Sequence, residues 1–188
     1  MNVYDFDNTL YDGESILQMF SMHLKRNPGI ILYTPFILYG LYRYKHDKMT
    51  EEEMLARCSS LVKGLLRGAQ DAESDAAAFW DKYEHRLFPY YKHQQRPDDL
   101  VISAGPENSL REICKRMGIS RYIGTAVDEE TKTIAYFCFG SNKVKAFRER
   151  YPDEEIDNFY TDSMSDKPLM DIARHVFLVK KGWLKQIK

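Results

Sequence analysis

The hydrophobic and polar positions divide the chain into three regions. Residues 2–6 form a short apolar run that ends in a polar turn, which is typical of a buried strand entering a loop. Residues 14–95 carry apolar side chains at helical spacing, and no part of this region requires a strand. From residue 97 onward, short apolar strands alternate with amphipathic helices, which predicts a parallel sheet covered by helices on both faces.

Local signals place the individual elements. Ser15 caps a first helix, a capping box of Thr50 and Glu53 opens a second, and a third covers residues 72–86. Further helices are predicted over residues 107–117, 143–150 and 167–174, and strands over 100–103, 122–127, 133–139, 156–160 and 175–179. The second and third of these strands form a hairpin across a polar turn. We therefore expect an α/β fold in which residues 1–13 and 96–188 form a Rossmann-like parallel sheet core and residues 14–95 an inserted all-α cap.

Charge and cysteine content narrow the possible classes of function. The chain has 188 residues, with 27 Lys and Arg against 28 Asp and Glu. Such a balance argues against a dedicated nucleic-acid binder, which usually has a basic surplus. The three cysteines are too widely spaced for a disulfide framework or a zinc cluster, and the early strand leaves no room for a secretory signal. We expect a cytoplasmic protein, and the sequence does not fix its oligomeric state.

Residues 29–42 form the most apolar and aromatic stretch of the chain. The stretch is shorter than the roughly 20 residues that a membrane-spanning helix needs, and Pro35 interrupts it. A buried helix pair is the commoner cause of such a pattern, so we favour burial. Contact with a membrane surface is the alternative, since Arg43, Lys45 and Lys48 follow directly.

Polar and charged side chains gather where the predicted strands end. In open α/β sheets, ligands bind at the carboxyl ends of the strands, so these positions are expected to converge. Taken singly, each has an ordinary explanation as a turn residue, a helix cap or a solvated surface charge. Their occurrence together favours a site. The candidates are Asp5, Asp7, Thr9, Ser103, Ala104, Lys143, Asp162 and Asp166.

This set of side chains fits the transfer of a phosphoryl group. Adjacent carboxylates repel one another unless a cation such as Mg²⁺, which prefers oxygen ligands, lies between them. Ser103 and Lys143 supply donors for a phosphoryl group. Asp5 is suited to attack phosphorus, and Asp7 to protonate the leaving oxygen and then activate water. Because strand side chains alternate in direction, the two carboxylates are expected to share one face.

The motifs resemble those of haloacid dehalogenase superfamily hydrolases, in particular the phosphoserine-phosphatase-like branch with a helical cap. DFDNTL is similar to the family's first motif and VISAGPE to its second. GSNKVKAF is similar to the third motif, and YTDSMSDKPLM to the acidic fourth one. The resemblance covers residues 2–10 and about 100–179, whereas the cap agrees only in its helical character.

The resemblance implies a role for each matching position. Asp5 would be the nucleophile and a Mg²⁺ ligand, Asp7 the general acid and base with its carbonyl on the metal, and Asp162 a further ligand. The phosphoryl group would be held by Ser103, by the backbone near Ala104 and by Lys143. The supporting residues would be Thr9 in the motif loop and Asp166 beside the metal. Two cap positions are candidates for substrate specificity: Glu14, which equally suits a helix N-terminus, and Arg57.

Three functions remain open on the sequence alone. The first is a Mg²⁺-dependent phosphatase acting on a phosphate monoester of a small soluble metabolite through an aspartyl phosphate. The second keeps this chemistry but acts on a lipid phosphate such as phosphatidylglycerophosphate, with the cap touching the membrane. The third is a non-catalytic scaffold that dimerises through the cap, since a fold alone does not imply an activity.

Overall fold

The computed structural model describes most of the predicted core and part of the predicted cap. The described residues are 1–26, 28–33, 72–128, 130–131 and 133–188, together with positions 35, 39, 42, 43 and 53. The predicted helix over residues 50–66 lies outside this set except for Glu53, and the candidate specificity residue Arg57 also lies outside it.

A mostly parallel sheet forms the centre of the molecule, as the alternation of strands and helices predicts. The strands run in the spatial order β4-β3-β2-β1-β5-β6-β7. β1 pairs in parallel with β2 and β5, whereas β3–β4 and β6–β7 are antiparallel hairpins. The strand bounds are Asn2–Tyr4 (β1), Leu100–Pro106 (β2), Arg121–Asp128 (β3), Thr133–Tyr136 (β4), Asn158–Thr161 (β5), His175–Lys180 (β6) and Trp183–Gln186 (β7).

Helices cover both faces of this sheet. In the part of the chain that the structure describes, the α-helices include Ser15–Arg26 (α1), Ala72–Tyr83 (α2), Tyr90–Gln94 (α3), Glu107–Met117 (α4), Ser141–Arg150 (α5) and Lys167–Ile172 (α6). The same part includes short 3₁₀ helices over Pro28–Tyr33, Glu84–Arg86 and Met164–Asp166. None of the helices in the described part of the chain is both long enough and apolar enough to cross a bilayer.

The two faces of β1 contribute to two separate clusters of buried side chains. On one face, Tyr4, together with Phe6 just beyond the strand, packs with residues of α2 and α4, including Trp80. On the other face, Val3 packs with residues of α5 and α6, including Phe147. This alternation follows from the two-residue repeat of a strand. Burial of both faces explains why the core strands are largely apolar.

Part of the region predicted as cap packs directly on the sheet. Trp80 is 1% exposed, lies edge-on to Phe6, and donates from Nε1 to the carbonyl oxygen of Ser109 at 2.9 Å. The ring of Tyr11 also lies edge-on to Trp80. These contacts connect α2 to the loop that follows β1 and to α4, while the division of the chain into a core and a cap stays a prediction.

Two glycines set how closely the elements pack. Gly118 ends α4 with a φ of 73°, a left-handed conformation that glycine adopts without strain, and α4 accordingly stops where the sequence predicts. Gly124 in β3 lies against α4, and a Cβ atom there would come within 2.8 Å of the Cα of Glu107. The absence of a side chain therefore lets α4 approach β3.

Candidate active site

The centre of the candidate site is a buried ammonium between two carboxylates. Lys143, in the first turn of α5, lies with its Nζ 2.7 Å from Oδ1 of Asp5 and 2.8 Å from Oδ1 of Asp166. All three residues are buried. Asp5 directly follows β1, and its backbone N–H donates to the carbonyl of Tyr160 in β5 at 2.9 Å. The ion pairs therefore join the ends of two neighbouring parallel strands to a helix.

Burial and charge act against each other in this cluster. Burial raises the pKa of Asp5 to about 7; Lys143 opposes this rise, and the nearby carboxylates of Asp166 and Asp7 add to it. Burial by itself lowers the pKa of Lys143, but its two carboxylate partners outweigh burial, so the pKa of the ammonium lies above its ordinary value. Lys143 therefore remains a cation at neutral pH and holds Asp5 in one position.

Asp7 is held by the beginning of α1. Its Oδ1 accepts a hydrogen bond from the backbone N–H of Ser15 at 3.0 Å, in the first turn of the helix, where unpaired N–H groups stabilise negative charge. Burial raises the pKa of Asp7 to about 6, the bonds from Ser15 lower it, and the carboxylates of Glu14 and Asp162 raise it. Asp7 is therefore able to hold and release a proton near neutral pH.

The loop that carries both carboxylates is fixed mainly by its backbone. Asn8 has a φ of 55°, a left-handed conformation that asparagine tolerates, and its side-chain amide donates to Glu14 at 2.7 Å. The backbone N–H groups of Leu10 and Thr9 both donate to the carbonyl of Phe6. The hydroxyl of Thr9 is buried and has no hydrogen-bond partner among the described residues, so Thr9 steadies the loop through its backbone.

Ser103 and Ala104 lie in the middle of β2, which continues to Pro106, past the end predicted for it at residue 103. β1 and β2 pair in parallel through Tyr4 and Val101, so Ser103 is level with the loop that follows β1 and carries Asp5. The buried hydroxyl of Ser103 accepts a hydrogen bond from the N–H of Gly105 at 3.0 Å. The carbonyl of Ala104 accepts one from the Thr125 hydroxyl at 2.7 Å, which connects this part of β2 to β3.

Two acidic residues follow β5 and differ in exposure. Asp166 is buried, and its Oδ2 accepts a hydrogen bond from the hydroxyl of Thr161 at 2.9 Å, so the carboxylate is fixed at both oxygens. Asp162 is exposed. Partial burial and the carboxylates of Glu14 and Asp166 raise its pKa, while Lys143 opposes the rise. The Asp162 carboxylate therefore lies close enough to Glu14, Asp166 and Lys143 for their charges to change its pKa.

The donor set fits a hard divalent cation. Asp5, Asp7 and Asp162 supply oxygen atoms, and each has its pKa raised in part by a neighbouring carboxylate. Within the described ranges, no three His, Cys, Asp or Glu side chains already stand at ligand spacing. Mg²⁺ commonly takes one or two carboxylates and completes its shell with water and phosphate oxygens, so these residues are compatible with it.

The structure brings the sequence candidates of the core to one edge of the sheet. Glu14 also lies there, bonded to Asn8, whereas Arg57 cannot be placed because it lies outside the described residues. Sequence reasoning missed the contact of Ser15 with Asp7, because the role of a helix cap already accounted for this serine. It also missed two supporting hydroxyls, those of Thr161, which donates to Asp166, and of Tyr90, which donates to the carbonyl of Thr9.

Comparison with known proteins extends these observations. A probable phosphatase from Mycobacterium tuberculosis (strain H37Rv) is 30% identical over 91 residues, which are 44% of this chain and 31% of that protein. A protein of unknown function from Bordetella pertussis Tohama I superposes with a TM-score of 0.69 at 16% identity, covering 94% of this chain and 87% of its own. A phosphoserine phosphohydrolase-like protein from Francisella tularensis SCHU S4 gives a TM-score of 0.58 at 17% identity, covering 94% and 86%.

At these identities the structural likenesses show the fold alone, and the chain spans about a third of the length of the curated relative that it matches. The family comparison reaches further. The model of haloacid dehalogenase-like hydrolases matches residues 3–171, a range that includes every strand-end side chain from Asp5 to Asp166. With most of its length matched in this way, the chain belongs to the haloacid dehalogenase-like hydrolases.

Proposed function

We propose that this hydrolase is a Mg²⁺-dependent phosphatase that cleaves a phosphate monoester of a small soluble metabolite through an aspartyl phosphate on Asp5. The contact between Asp5 and Lys143 carries the proposal. The nucleophilic oxygen of a carboxylate needs a fixed position, and Lys143 supplies it at 2.7 Å. The same ammonium provides positive charge beside the position where a phosphoryl group would gain negative charge.

In the first half of the reaction, Asp5 attacks phosphorus and the bond between phosphorus and the ester oxygen breaks. Asp7 donates its proton to the departing oxygen, so the product leaves as a neutral alcohol. Its pKa of about 6 leaves part of the population protonated near neutral pH. The hydroxyl of Ser103 and the ammonium of Lys143 are the donors for the transferring phosphoryl oxygens.

In the second half, water attacks the phosphorus atom of the aspartyl phosphate. Asp7, now ionised, accepts the proton of that water, inorganic phosphate leaves, and Asp5 returns to its carboxylate form. Mg²⁺ would be held by Asp5, by the carbonyl of Asp7 and by Asp162, where it neutralises carboxylate and phosphate charge. Asp166 and Thr161 would support Lys143 and the metal-binding loop from behind.

The proposal also includes a role for the cap and a class of substrate. We assign substrate selection to residues 14–95, with Glu14 at the mouth of the site and Arg57 as a further candidate. The cytoplasm is the compartment that matches a soluble phosphorylated metabolite. A lipid phosphate is the second candidate substrate, because apolar side chains near the start of this region are exposed: Ile31 (57%), Leu32 (72%), Tyr39 (53%) and Tyr42 (54%).

Covalent trapping tests the central step. The protein is mixed with an aryl phosphate and Mg²⁺, quenched in acid, and digested, and the peptide that contains Asp5 is weighed by mass spectrometry. We expect a phosphate adduct on Asp5, and Asp5→Asn should lose both the adduct and turnover by about 10⁴-fold or more, as removal of a nucleophile does in other enzymes. Asp12→Asn, a change of an exposed carboxylate in the same loop, is the matched control.

Two results would overturn the proposal. Turnover by Asp5→Asn at the rate of the unchanged protein would remove the nucleophile. Full activity after removal of divalent cations with a chelator would remove the metal. A panel of phosphorylated metabolites that includes phosphoserine and a lysophospholipid phosphate separates the soluble from the lipid substrate. No turnover on the panel, together with no Mg²⁺ binding by calorimetry, would instead support the non-catalytic scaffold.

A further inference from the structure

The hairpin of β6 and β7 forms one border of the sheet and exposes an unusual set of side chains. β7 is the outermost strand, and all four of its residues are exposed. Trp183 is 82% exposed, and Ile187, just beyond the strand, is 45% exposed. Exposed tryptophan is rare in a strand that only has to complete a sheet, because its large apolar surface remains in contact with water.

The charge of the same segment is strongly one-sided. Residues 180–188 contain four lysines and no acidic side chain, while the rest of the chain is net acidic. Lys180, Lys181 and Lys185 are exposed and form no ion pair with any other described residue. Lys188 differs, because its Nζ donates to backbone carbonyls at the end of α6, including Ala173 at 2.7 Å. Three free ammonium groups therefore accompany the exposed tryptophan.

The register of the hairpin puts apolar and basic groups on one face. Lys180 pairs with Trp183, and Leu178 pairs with Lys185. Directly paired residues point to the same side of a sheet, and residues two apart along a strand do so as well. Lys180, Trp183, Lys185 and Ile187 thus form one surface, which we term the basic–aromatic face.

This surface lies next to the edge of the sheet that carries the candidate site. β6 runs parallel to β1 and β5, so its carboxyl end and the following turn belong to the same edge as Asp5 and Asp162. The turn packs closely against the ring of Phe88, since a Cβ atom at Gly182 would lie 3.0 Å from that ring. The basic–aromatic face is therefore presented by a fixed turn.

We propose that the basic–aromatic face docks on an anionic membrane surface. Tryptophan favours the boundary between lipid headgroups and acyl chains, and lysines near it are attracted by negatively charged lipids. Pairing of β7 with a second copy of this chain is disfavoured, since it would bring these lysines close together. The inference is independent of the catalytic proposal; if the phosphatase activity holds as well, docking at this edge favours the lipid-phosphate candidate.

Tryptophan fluorescence with vesicles tests the contact directly. The chain has two tryptophans, and Trp80 is 1% exposed, so a response to lipid reports on Trp183. The full chain is mixed with vesicles of phosphatidylcholine alone or with phosphatidylglycerol added, and sedimentation is measured in parallel. We expect sedimentation only with the anionic vesicles, weakened by salt, and quenching of Trp183 by brominated lipid.

Variants localise the contact. Trp183→Ala should weaken binding, and Lys180→Glu/Lys185→Glu should weaken it by about 25-fold or more, given roughly fivefold for each lysine near an anionic surface. Lys92→Glu/Lys115→Glu changes the net charge equally at exposed positions elsewhere and should leave binding near that of the unchanged protein. All of these variants should keep their activity on an aryl phosphate in solution. A negative result for membrane binding can therefore be distinguished from a negative result for catalysis.

The outcomes that overturn the inference are specific. Failure to sediment with anionic vesicles rejects membrane docking. Sedimentation without quenching of Trp183 assigns the contact to another surface, such as the exposed apolar residues that follow α1. A dimer that forms without lipid and is lost in Trp183→Ala, in a protein that does not bind vesicles, would show that the face joins two copies of the chain.

Discussion

Two buried carboxylates occupy opposite ends of the central strands, and their surroundings differ in kind. Asp5 follows β1 at the carboxyl edge and is 8% exposed, whereas Asp99 precedes β2 at the amino edge and is 1% exposed. Burial is the main cause of a raised pKa for both. In both groups, removal from water therefore disfavours the ionised carboxylate.

The two carboxylates differ in the groups that they contact. Asp5 has the ammonium of Lys143 at 2.7 Å. Asp99 forms no ion pair with a described residue; it accepts hydrogen bonds from the Tyr91 hydroxyl at 3.1 Å and the Arg96 N–H at 2.8 Å. Neutral donors fix a carboxylate and connect α3 to the sheet, whereas the ammonium lowers the pKa that burial raises and so favours the charged, nucleophilic form of Asp5. The contrast marks Asp5 as a group for chemistry and Asp99 as a group for structure.

Among changes to the surroundings of the two carboxylates, the largest effect is expected when Asp5 loses its cation, as in Lys143→Met. Two buried carboxylates then face each other, so activity should fall by about 10³-fold, and the free energy of unfolding by about 3 kcal/mol. Aryl phosphate turnover and urea unfolding measure the two effects. Lys145→Met, an exposed lysine on the same helix, is the control and should change neither quantity. Normal turnover by Lys143→Met would remove the distinction between the two carboxylates.

Asp99→Leu makes the converse change at the other end of the strands. The hydroxyl of Tyr91 and the N–H of Arg96 lose their acceptor, so the free energy of unfolding should fall by about 1–3 kcal/mol. Turnover per folded molecule should stay the same. Asp99→Asn keeps an acceptor and should lose less stability. A large loss of kcat with intact folding would show that Asp99 belongs to the chemistry after all.

A smaller and more selective effect is expected from Ser15→Ala. The variant keeps the backbone N–H that binds Asp7 at 3.0 Å but loses the hydroxyl, whose hydrogen bond to Asp7 also lowers the pKa of that carboxyl, so Asp7 should be less well positioned as a proton donor. The kcat for an alkyl phosphate should fall by about tenfold. An activated aryl phosphate, whose leaving oxygen needs no proton, should be affected far less. Equal losses on both substrates would indicate a general structural defect instead.

The smallest effect concerns pH and stability. Because the pKa of Asp99 is raised above 3.8 in the folded state, the folded chain binds this proton more tightly than the unfolded one. The contribution of Asp99 to stability is therefore present at low pH and lost as pH rises through the folded-state pKa. The asparagine of Asp99→Asn does not titrate, so the variant has no such loss of stability as pH rises. The difference in urea midpoint, variant minus unchanged protein, should therefore increase as pH rises from about 4. A difference that is flat with pH would contradict the raised pKa.

Local signals predicted the elements that are bounded by clear helix-ending or turn residues. α4 is observed over the residues predicted for it, because Gly118 supplies the left-handed residue that ends the helix. The hairpin of β3 and β4 is confirmed, although β4 ends at Tyr136, before the predicted position 139. β7 was not predicted, because its residues are all exposed and show no alternation between apolar and polar positions.

The candidate site was predictable to the extent that it depends on strand ends. Asp5, Asp7 and Lys143 could be identified because parallel strands present their carboxyl ends at one edge. The cooperation of Ser15 with Asp7 was not predictable, since a serine at a helix start has a sufficient local explanation. Their catalytic roles remain predictions for the experiments above.

The sequence by itself determined most of the strands and helices of the core, the family motifs and the chemical types gathered at the strand ends. These features depend on periodicity and local chemistry, which act over a few residues. Only the tertiary structure decided that Lys143 lies between Asp5 and Asp166, that Asp99 has neutral donors, and that Trp183 shares a face with lysines. Such contacts join residues distant in the chain, and their geometry depends on how the elements pack and which groups that packing removes from water.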